Sequence, residues 1–335
     1  MAPSLTSLRR RRTSVLITLL LSGMALVSAA CGSAAPDTSA PAAIQAAPVL
    51  PAGAHIVHPT APGPVPPCDA TASYPPPPTM PTPGDMPAGS WMAHVLARGV
   101  LIVGVDQNTY KWGYRDPVTG QLSGFDIDML RQVSQAIFGS PDQIRTVVVP
   151  NDQRVQAVQS GEVDILAETM TINCEREQKI DFSTVYFEAG QEILVPSDSS
   201  IIGPAGLNGK RVCATQGSTS LQTLASVAPK SILWAVPNET DCLVLLQQDQ
   251  VDAVSTDNAI LQGLAAQDPD TKIVGPAFTE EPYGMAISKA HPEFTAFVNG
   301  VLAQERADGT WAAIYTKWLG PNPPAPSAPS YKAEP

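Results

Sequence analysis

Residues 169–183 read T-M-T-I-N-C-E-R-E-Q-K-I-D-F-S and hold the residue types that can receive a carboxylate. The apolar run Val163-Asp164-Ile165-Leu166-Ala167 before them has the pattern of a buried strand. If the extended backbone continues past that strand, Thr169 and Thr171 present their hydroxyls to the same side. Arg176 follows where Cys174-Glu175-Arg176-Glu177 can open a helix. A planar guanidinium bonds a carboxylate through two parallel N–H groups, and hydroxyls fill its remaining lone pairs. On a solvated loop the same residues would be an ordinary surface connection. The elements around them therefore decide.

Those elements alternate strand and helix. Val100 to Val105 is a continuous apolar run, as a central parallel strand requires. Gly124-Phe125-Asp126-Ile127-Asp128 leads into an amphipathic helix through Met129, Val133 and Ile137 that stops at Gly139. Val147 to Val149 reads as the next strand, and Asn151 or Asp152 can cap a helix through Arg154, Val155 and Val158. The second half repeats the pattern, with strands at Arg211–Thr215, Ile232–Val236 and Asp252–Ser255 and helices at Ser218–Val227 and Thr240–Asp249. Repeated βα units imply doubly wound α/β layers with sites at the carboxyl ends of the strands. Two such halves make a cleft. The helical run from Pro292 to Trp318 lacks strand partners in the second half, so the chain is expected to cross back to the first.

The segments outside this core address the protein. Arg9–Arg12, the apolar stretch Val15–Val27 and the small residues Ser28-Ala29-Ala30 form an export signal over residues 1–30. Cleavage there makes Cys31 the first mature residue, the arrangement of a lipidated bacterial protein anchored to the outer face of the cell membrane. Ser28 stands where a lipobox usually has Leu. Residues 31–90 are rich in Pro and Ala and are expected to form an extended tether. A second proline-rich stretch, 321–335, is expected to be a disordered tail. His55 and His58 lie in the tether without enough neighbouring ligands for a metal.

Setting Cys31 aside leaves Cys68, Cys174, Cys213 and Cys242, an even number in an oxidising compartment that permits three pairings. Cys213 in a strand-like run and Cys242 at the start of a helix-like run could staple strand to helix, and elimination would then join Cys68 to Cys174. No C-x-x-C spacing occurs, so no metal site is expected. Removing the leader takes four of the 20 Lys and Arg and none of the 31 Asp and Glu, leaving a net charge of about −15. That balance argues against nucleic acid and against an anionic membrane surface as partners. It also makes any buried arginine more informative.

Five motifs stand in one order: Gly124-Phe125-Asp126-Ile127-Asp128-Met129, Thr171…Glu175-Arg176…Ile180-Asp181-Phe182-Ser183, Gly217-Ser218-Thr219-Ser220, Asp252-Ala253-Val254-Ser255-Thr256-Asp257, and Asp308-Gly309-Thr310-Trp311…Lys317-Trp318-Leu319-Gly320. Together, over about residues 90–320, they resemble the polar-amino-acid family of periplasmic solute-binding proteins, the glutamine- and glutamate/aspartate-binding group that feeds ABC importers. The resemblance implies a type II periplasmic-binding fold. One lobe would hold residues 91–186 and 284–320 and the other 189–281, joined by two hinge strands and closing over a free amino acid.

By the same resemblance Arg176 holds the α-carboxylate, with Thr169, Thr171, Thr215, Ser218 and Thr219 as its partners, and Asp257 accepts the α-ammonium. The free amides at the start of the helix Ser218–Val227 suit an anion. Asp257 can alternatively be a plain helix N-cap. Asp106 matches the aspartate of glutamine binders, Arg154 matches the arginine of acidic-amino-acid binders, and Trp112 would wall the ligand's aliphatic stem. Glu168 is expected to point away from the site.

The resemblance implies a monomeric receptor without cofactor, whose partners are glutamate, aspartate, glutamine or asparagine and an ABC permease. A receptor signalling to a membrane sensor would use the same closed lobes. Dehydratases on the same fold are the enzymatic alternative. No histidine stands near a motif to activate Ser218, and the chain is read as not an enzyme.

Overall fold

The computed structural model describes residues 49–58, 63, 66–325 and 327–332. The leader and Cys31 lie outside them. Two mixed sheets carry the fold. The first has five strands in the order Ile144–Val148, Leu101–Val105, Ile165–Leu166, Ala286–Ile287 and Asp181–Phe182. Its first three run parallel, as the apolar βα pattern requires, whereas Ala286–Ile287 enters antiparallel between two strands of the first half. This is where the chain crosses back. The helices Pro292–Asp308 and Thr310–Trp318 then pack beside Phe125–Phe138, with Phe294, Phe297, Trp311 and Leu130 in one core.

The second sheet has six strands in the order His55–Val57, Ile232–Val236, Arg211–Thr215, Ala253–Asp257, Gln191–Pro196 and Thr271–Val274. The three βα strands at its centre are parallel and the flanking strands antiparallel. Both sheets therefore depart from an all-parallel doubly wound layer at their margins. Two short strands, Phe187–Ala189 and Glu281–Tyr283, pair antiparallel with each other between the sheets.

Local signals explain the ends. Ser90 caps the helix Trp91–Arg98 by accepting from Ala93 N, and Gly99 closes it at φ 80°. Asn173 caps the short helix Cys174–Glu177 by accepting from Arg176 N at 2.9 Å, which fixes the start of the Arg176 side chain.

The Pro/Ala-rich segment is a correction to the sequence reading, because much of it is built into the fold. His55–Val57 adds a strand to the edge of the second sheet. Ala72–Ser73 pairs with Ser330–Tyr331, so two residues of the C-terminal stretch are paired as well. Asn299, fully buried, donates to Ser73 Oγ at 2.8 Å and Tyr74 O at 2.7 Å and accepts from Thr184 N at 2.6 Å. A Cβ on Gly300 would lie 2.1 Å from the Met80 sulfur, so the segment sits directly on the helix backbone. Composition missed this because an exposed sheet edge offers unpaired N–H and C=O groups to any extended segment, whatever its hydrophobicity.

Both cross-links are present: Cys213 to Cys242 joins strand to helix, and Cys68 to Cys174 ties the N-terminal segment beside Arg176. The separation of 29 residues between Cys213 and Cys242 sets a loop-closure contribution of about 3–4 kcal/mol. The double change Cys213→Ser/Cys242→Ser should lower stability by roughly that amount in denaturant titration. Cys68→Ser/Cys174→Ser should in addition expose residues 66–74 to limited proteolysis. A tether that stays as protease-resistant as wild type would show that strand pairing alone holds it.

Candidate ligand-binding site

The carboxyl ends of the parallel strands in both sheets face one another across a narrow polar cavity. Asn151, Arg154, Thr169, Thr171 and Arg176 line it from the first sheet. Ser218, Thr219, Ser220, Glu239, Thr256, Asp257 and Ile260 line it from the second. This is the position that two facing α/β layers offer a ligand.

Arg176 is buried and donates from Nη1 to Thr171 O at 2.6 Å and from Nη2 to Gly217 O at 3.3 Å. Both acceptors are neutral carbonyls, and among the described residues Arg176 forms no ion pair. Burial, with Arg154 repelling it, pulls its guanidinium down to about 9, although Glu281 and Asp257 act the other way. A desolvated cation held this way has the chemistry to accept an anion.

Asp257 faces it from the end of Ala253–Asp257. Tyr283 OH donates to its Oδ2 at 2.6 Å and Ser220 Oγ to its Oδ1 at 3.4 Å. Burial and the neighbouring Glu281 push its carboxyl up to about 7, with the two hydroxyls pulling it down. Its side chain makes no capping bond to the helix Asn258–Ala265, so the plain N-cap reading does not describe it.

The hydroxyls divide. Thr169 has φ 42°, a left-handed conformation costing of order 1–2 kcal/mol for a non-glycine residue. The extended backbone assumed for Thr169 and Thr171 is thus a correction, though both line the cavity. Asp126 holds the turn by accepting from Thr169 N at 2.9 Å, and Tyr186 OH donates to the same carboxylate at 2.8 Å. Burial brings Asp126 up to about 6. Thr171 Oγ1 donates to Glu281 Oε2 at 2.6 Å and Thr219 Oγ1 donates to the same oxygen at 3.0 Å. Ser218 donates to Thr215 O at 2.6 Å and caps the helix Thr219–Val227 by accepting from Leu221 N.

Three expected ligand residues lie off the cavity. Trp112 is 1 % exposed, edge-on to Phe187 and Tyr283 with centroids at 4.6 and 5.6 Å, and donates from Nε1 to Ala259 O at 3.1 Å. It is a core aromatic beside the connecting strands. Asp106 accepts from Thr109 N at 2.7 Å and shapes the turn into Asn108–Thr109. Thr215 does not line the cavity either: its carbonyl receives Ser218 N and Oγ. Arg154 lines the cavity but spends Nε on Asn151 O and Nη1 on Glu168 O, both at 3.0 Å.

The sequence reading missed Asn151 as a cavity residue, and it missed Glu239, Ser220, Thr256, Ile260 and Glu281. Glu239 follows the strand Ile232–Val236 and starts the helix Glu239–Gln247, so its place after a strand end was the available signal. Glu281 lies in a connecting strand, where nothing in the sequence marks it.

The halves also touch directly around the cavity. Asn151 Nδ2 donates to Glu239 Oε1 at 2.7 Å, Gln216 Nε2 to Asp152 Oδ2 at 2.8 Å and Asn108 Nδ2 to Asn238 Oδ1 at 2.9 Å. A Cβ on Gly217 would lie 2.6 Å from Asp152 Cα, and Gly217 has φ 74°, so only glycine allows this approach.

The profile of the bacterial extracellular solute-binding proteins, family 3, matches residues 101–321, and the chain belongs to that family. The ABC transporter glutamine-binding protein GlnH of Bacillus subtilis is 36 % identical over 233 residues, 69 % of this chain and 85 % of that protein. The glutamate-binding protein GluB of Corynebacterium glutamicum is 31 % identical over 249 residues, 71 % of this chain and 84 % of that protein. An ancestral arginine-binding protein, solved bound to arginine, superposes with a TM-score of 0.62 at 36 % identity over 67 % of this chain and 99 % of that one. The fold is the two-lobed type II periplasmic-binding fold.

Two outcomes follow from the closed contacts and from Asp257. Gly217→Ala should weaken ligand binding by tenfold or more in calorimetric titration, because the clash with Asp152 arises when the halves meet, and should lower the stability of the ligand-free protein by the roughly 1–2 kcal/mol of a left-handed alanine. An amino acid's ammonium requires Asp257 ionised, so the dissociation constant should rise as pH falls below about 7, by up to about tenfold per unit for one displaced proton. A flat profile between pH 7 and 5 would remove Asp257 from the binding step.

Proposed function

We propose that this chain is an extracytoplasmic receptor that closes over one free polar amino acid and delivers it to an ABC permease. The ligand set is glutamate, aspartate, glutamine and asparagine. The names of the glutamine- and glutamate-binding relatives support glutamine and glutamate within that set. The observation that carries the reading is the buried Arg176, bonded only to carbonyls, with the carboxylate of Asp257 opposite it from the other half. A zwitterion supplies both missing charges at once: its carboxylate meets the guanidinium and its ammonium meets Asp257.

Membership in an extracellular family supports export. The leader sequence and Cys31 support a lipid anchor that keeps the receptor beside its permease. Nothing in the cavity calls for catalysis. Ser218 Oγ is committed to Thr215 O and to its helix cap, and no histidine lines the cavity. The chain is read as a monomeric binding protein without metal or cofactor.

A thermal-shift screen of mature protein against the twenty amino acids tests the class, since a ligand specific to the native state raises the midpoint. Arg176→Ala should weaken every ligand together, by roughly 2–5 kcal/mol for the loss of one partner of a desolvated charge pair. Loss confined to some ligands would place Arg176 at the side chain and not at the α-carboxylate.

A further inference from the structure

The helix Asn258–Ala265 belongs to the second lobe, where Leu261 and Leu264 pack with Leu194 and Val254. Ala259 and Gly263 are one helical turn apart and so share a face of it. That face meets a loop of the first lobe. Trp112 Nε1 donates to Ala259 O at 3.1 Å, and a Cβ on Gly263 would lie 2.8 Å from Tyr110 O. Gly263 is buried inside the helix and does not stand in the left-handed region, so it contributes room for the approach and not freedom of the backbone. Alanine at that position would be the better helix former. Beside these contacts Asn108 Nδ2 donates to Asn238 Oδ1 at 2.9 Å.

The loop is built to present those groups. Asp106 holds its start by accepting from Thr109 N at 2.7 Å. Lys111 takes φ 74°, a conformation that is unfavourable for any residue with a side chain. Its carbonyl accepts from Phe125 N at 2.8 Å and that of Trp112 from Asp126 N at 3.1 Å, the first amides of the helix Phe125–Phe138. The strained turn is therefore fixed to the first lobe while its tip lies on the second. Such strain persists only where the surrounding structure holds it, and it clusters at sites with a function. Trp112 is almost fully buried, and a buried indole N–H needs an acceptor. Here the acceptor belongs to the other lobe.

We infer that Tyr110, Trp112 and Gly263 are positioning residues for ligand binding: the loop Asp106–Trp112 docks on the helix Asn258–Ala265 as a closing contact outside the ligand cavity. The inference rests on the reading of the chain as a receptor that closes over an amino acid. None of these contact residues lines the cavity, in contrast to Asn151, Glu239 and Arg176. The contact therefore favours the closed form equally, whichever ligand is present. A ligand that binds only the closed form is held more tightly in proportion to the population of that form. The loop thus sets how strongly the receptor holds its ligands, and the cavity sets which ones.

Calorimetric titration and thermal unfolding of Gly263→Ala and Trp112→Phe test this, with every amino acid that wild type binds in the thermal-shift screen. Gly263→Ala should weaken all of them by one common factor of about tenfold or more. The midpoint of the ligand-free variant should stay at or above that of wild type, because the added methyl favours the helix and meets Tyr110 O only on closing. Trp112→Phe keeps an aromatic ring against Phe187 and Tyr283 and removes the N–H, so it should weaken the same ligands together by roughly threefold or more. A Gly263→Ala midpoint that falls along with affinity overturns the inference, since the contact would then be ordinary packing present in the open form as well. Unchanged affinity in both variants overturns it too. So does a factor that differs between ligands, which would place the loop in the cavity. Binding of no amino acid by wild type overturns the receptor reading and this inference with it, and wild type alone reveals that outcome.

Discussion

A guanidinium withdrawn from water without a carboxylate partner is the constraint on which the rest of this architecture depends. Arg176 reaches its position because Asn173 caps the short helix that carries it and because Thr171 O accepts from it inside the first lobe. Its other bond is to Gly217 O of the second lobe, so the cation itself spans the cleft. Two carbonyl dipoles offset only part of the cost of burying a charge. The site has therefore been given anions at a distance, Glu281 and Asp257, and both are tied to hydroxyls. Thr171 and Thr219 share Glu281 Oε2 from opposite lobes, which makes the connecting strand that carries Glu281 part of the cavity's electrostatics.

How far this was legible in the sequence follows from what each feature depends on. The βα alternation, the helix end at Gly139 and the strand–helix staple at Cys213 and Cys242 depend on local pattern, and local pattern is enough to find them. Arg154, Thr169, Thr171, Arg176, Ser218, Thr219 and Asp257, singled out chiefly by the family resemblance, all line one cavity, where strand ends converge in facing α/β layers. Trp112 was misplaced because an aromatic after a strand end can turn into the core or into the cleft with equal ease. Packing on Phe187 and Tyr283, from strands about a hundred residues apart, settles it. Asp106 misled for a related reason: an aspartate two residues before a turn can serve its own backbone, and here it does.

The Pro-rich segments show the same limit. Composition describes what a segment can do alone, and alone these residues cannot offset their chain entropy. The fold supplies what they lack. The edge at Ile232–Val236 receives His55–Val57, and Asn299, buried in a helix, supplies the donors that hold Ser73 and Tyr74. The N-terminal segment in consequence touches both lobes, with His55–Val57 on the second sheet and Cys68 bonded to Cys174 beside the first.

That arrangement bears on how the lobes move. In a receptor joined only by Phe187–Ala189 and Glu281–Tyr283, opening is limited by those two strands alone. Here the covalent path from Val57 to Cys68 is a third link between the same two bodies, eleven residues along the chain. An extended chain of that length spans at most about 35–40 Å, so it sets an outer bound on the separation of its two anchor points without fixing the closed state. Closure must still come from the contacts around the cavity, Arg176 to Gly217 and Asn151 to Glu239 among them. Arg176, Asn151 and Glu239 all line the cavity, so a molecule bound there would bear directly on the groups that hold the lobes together.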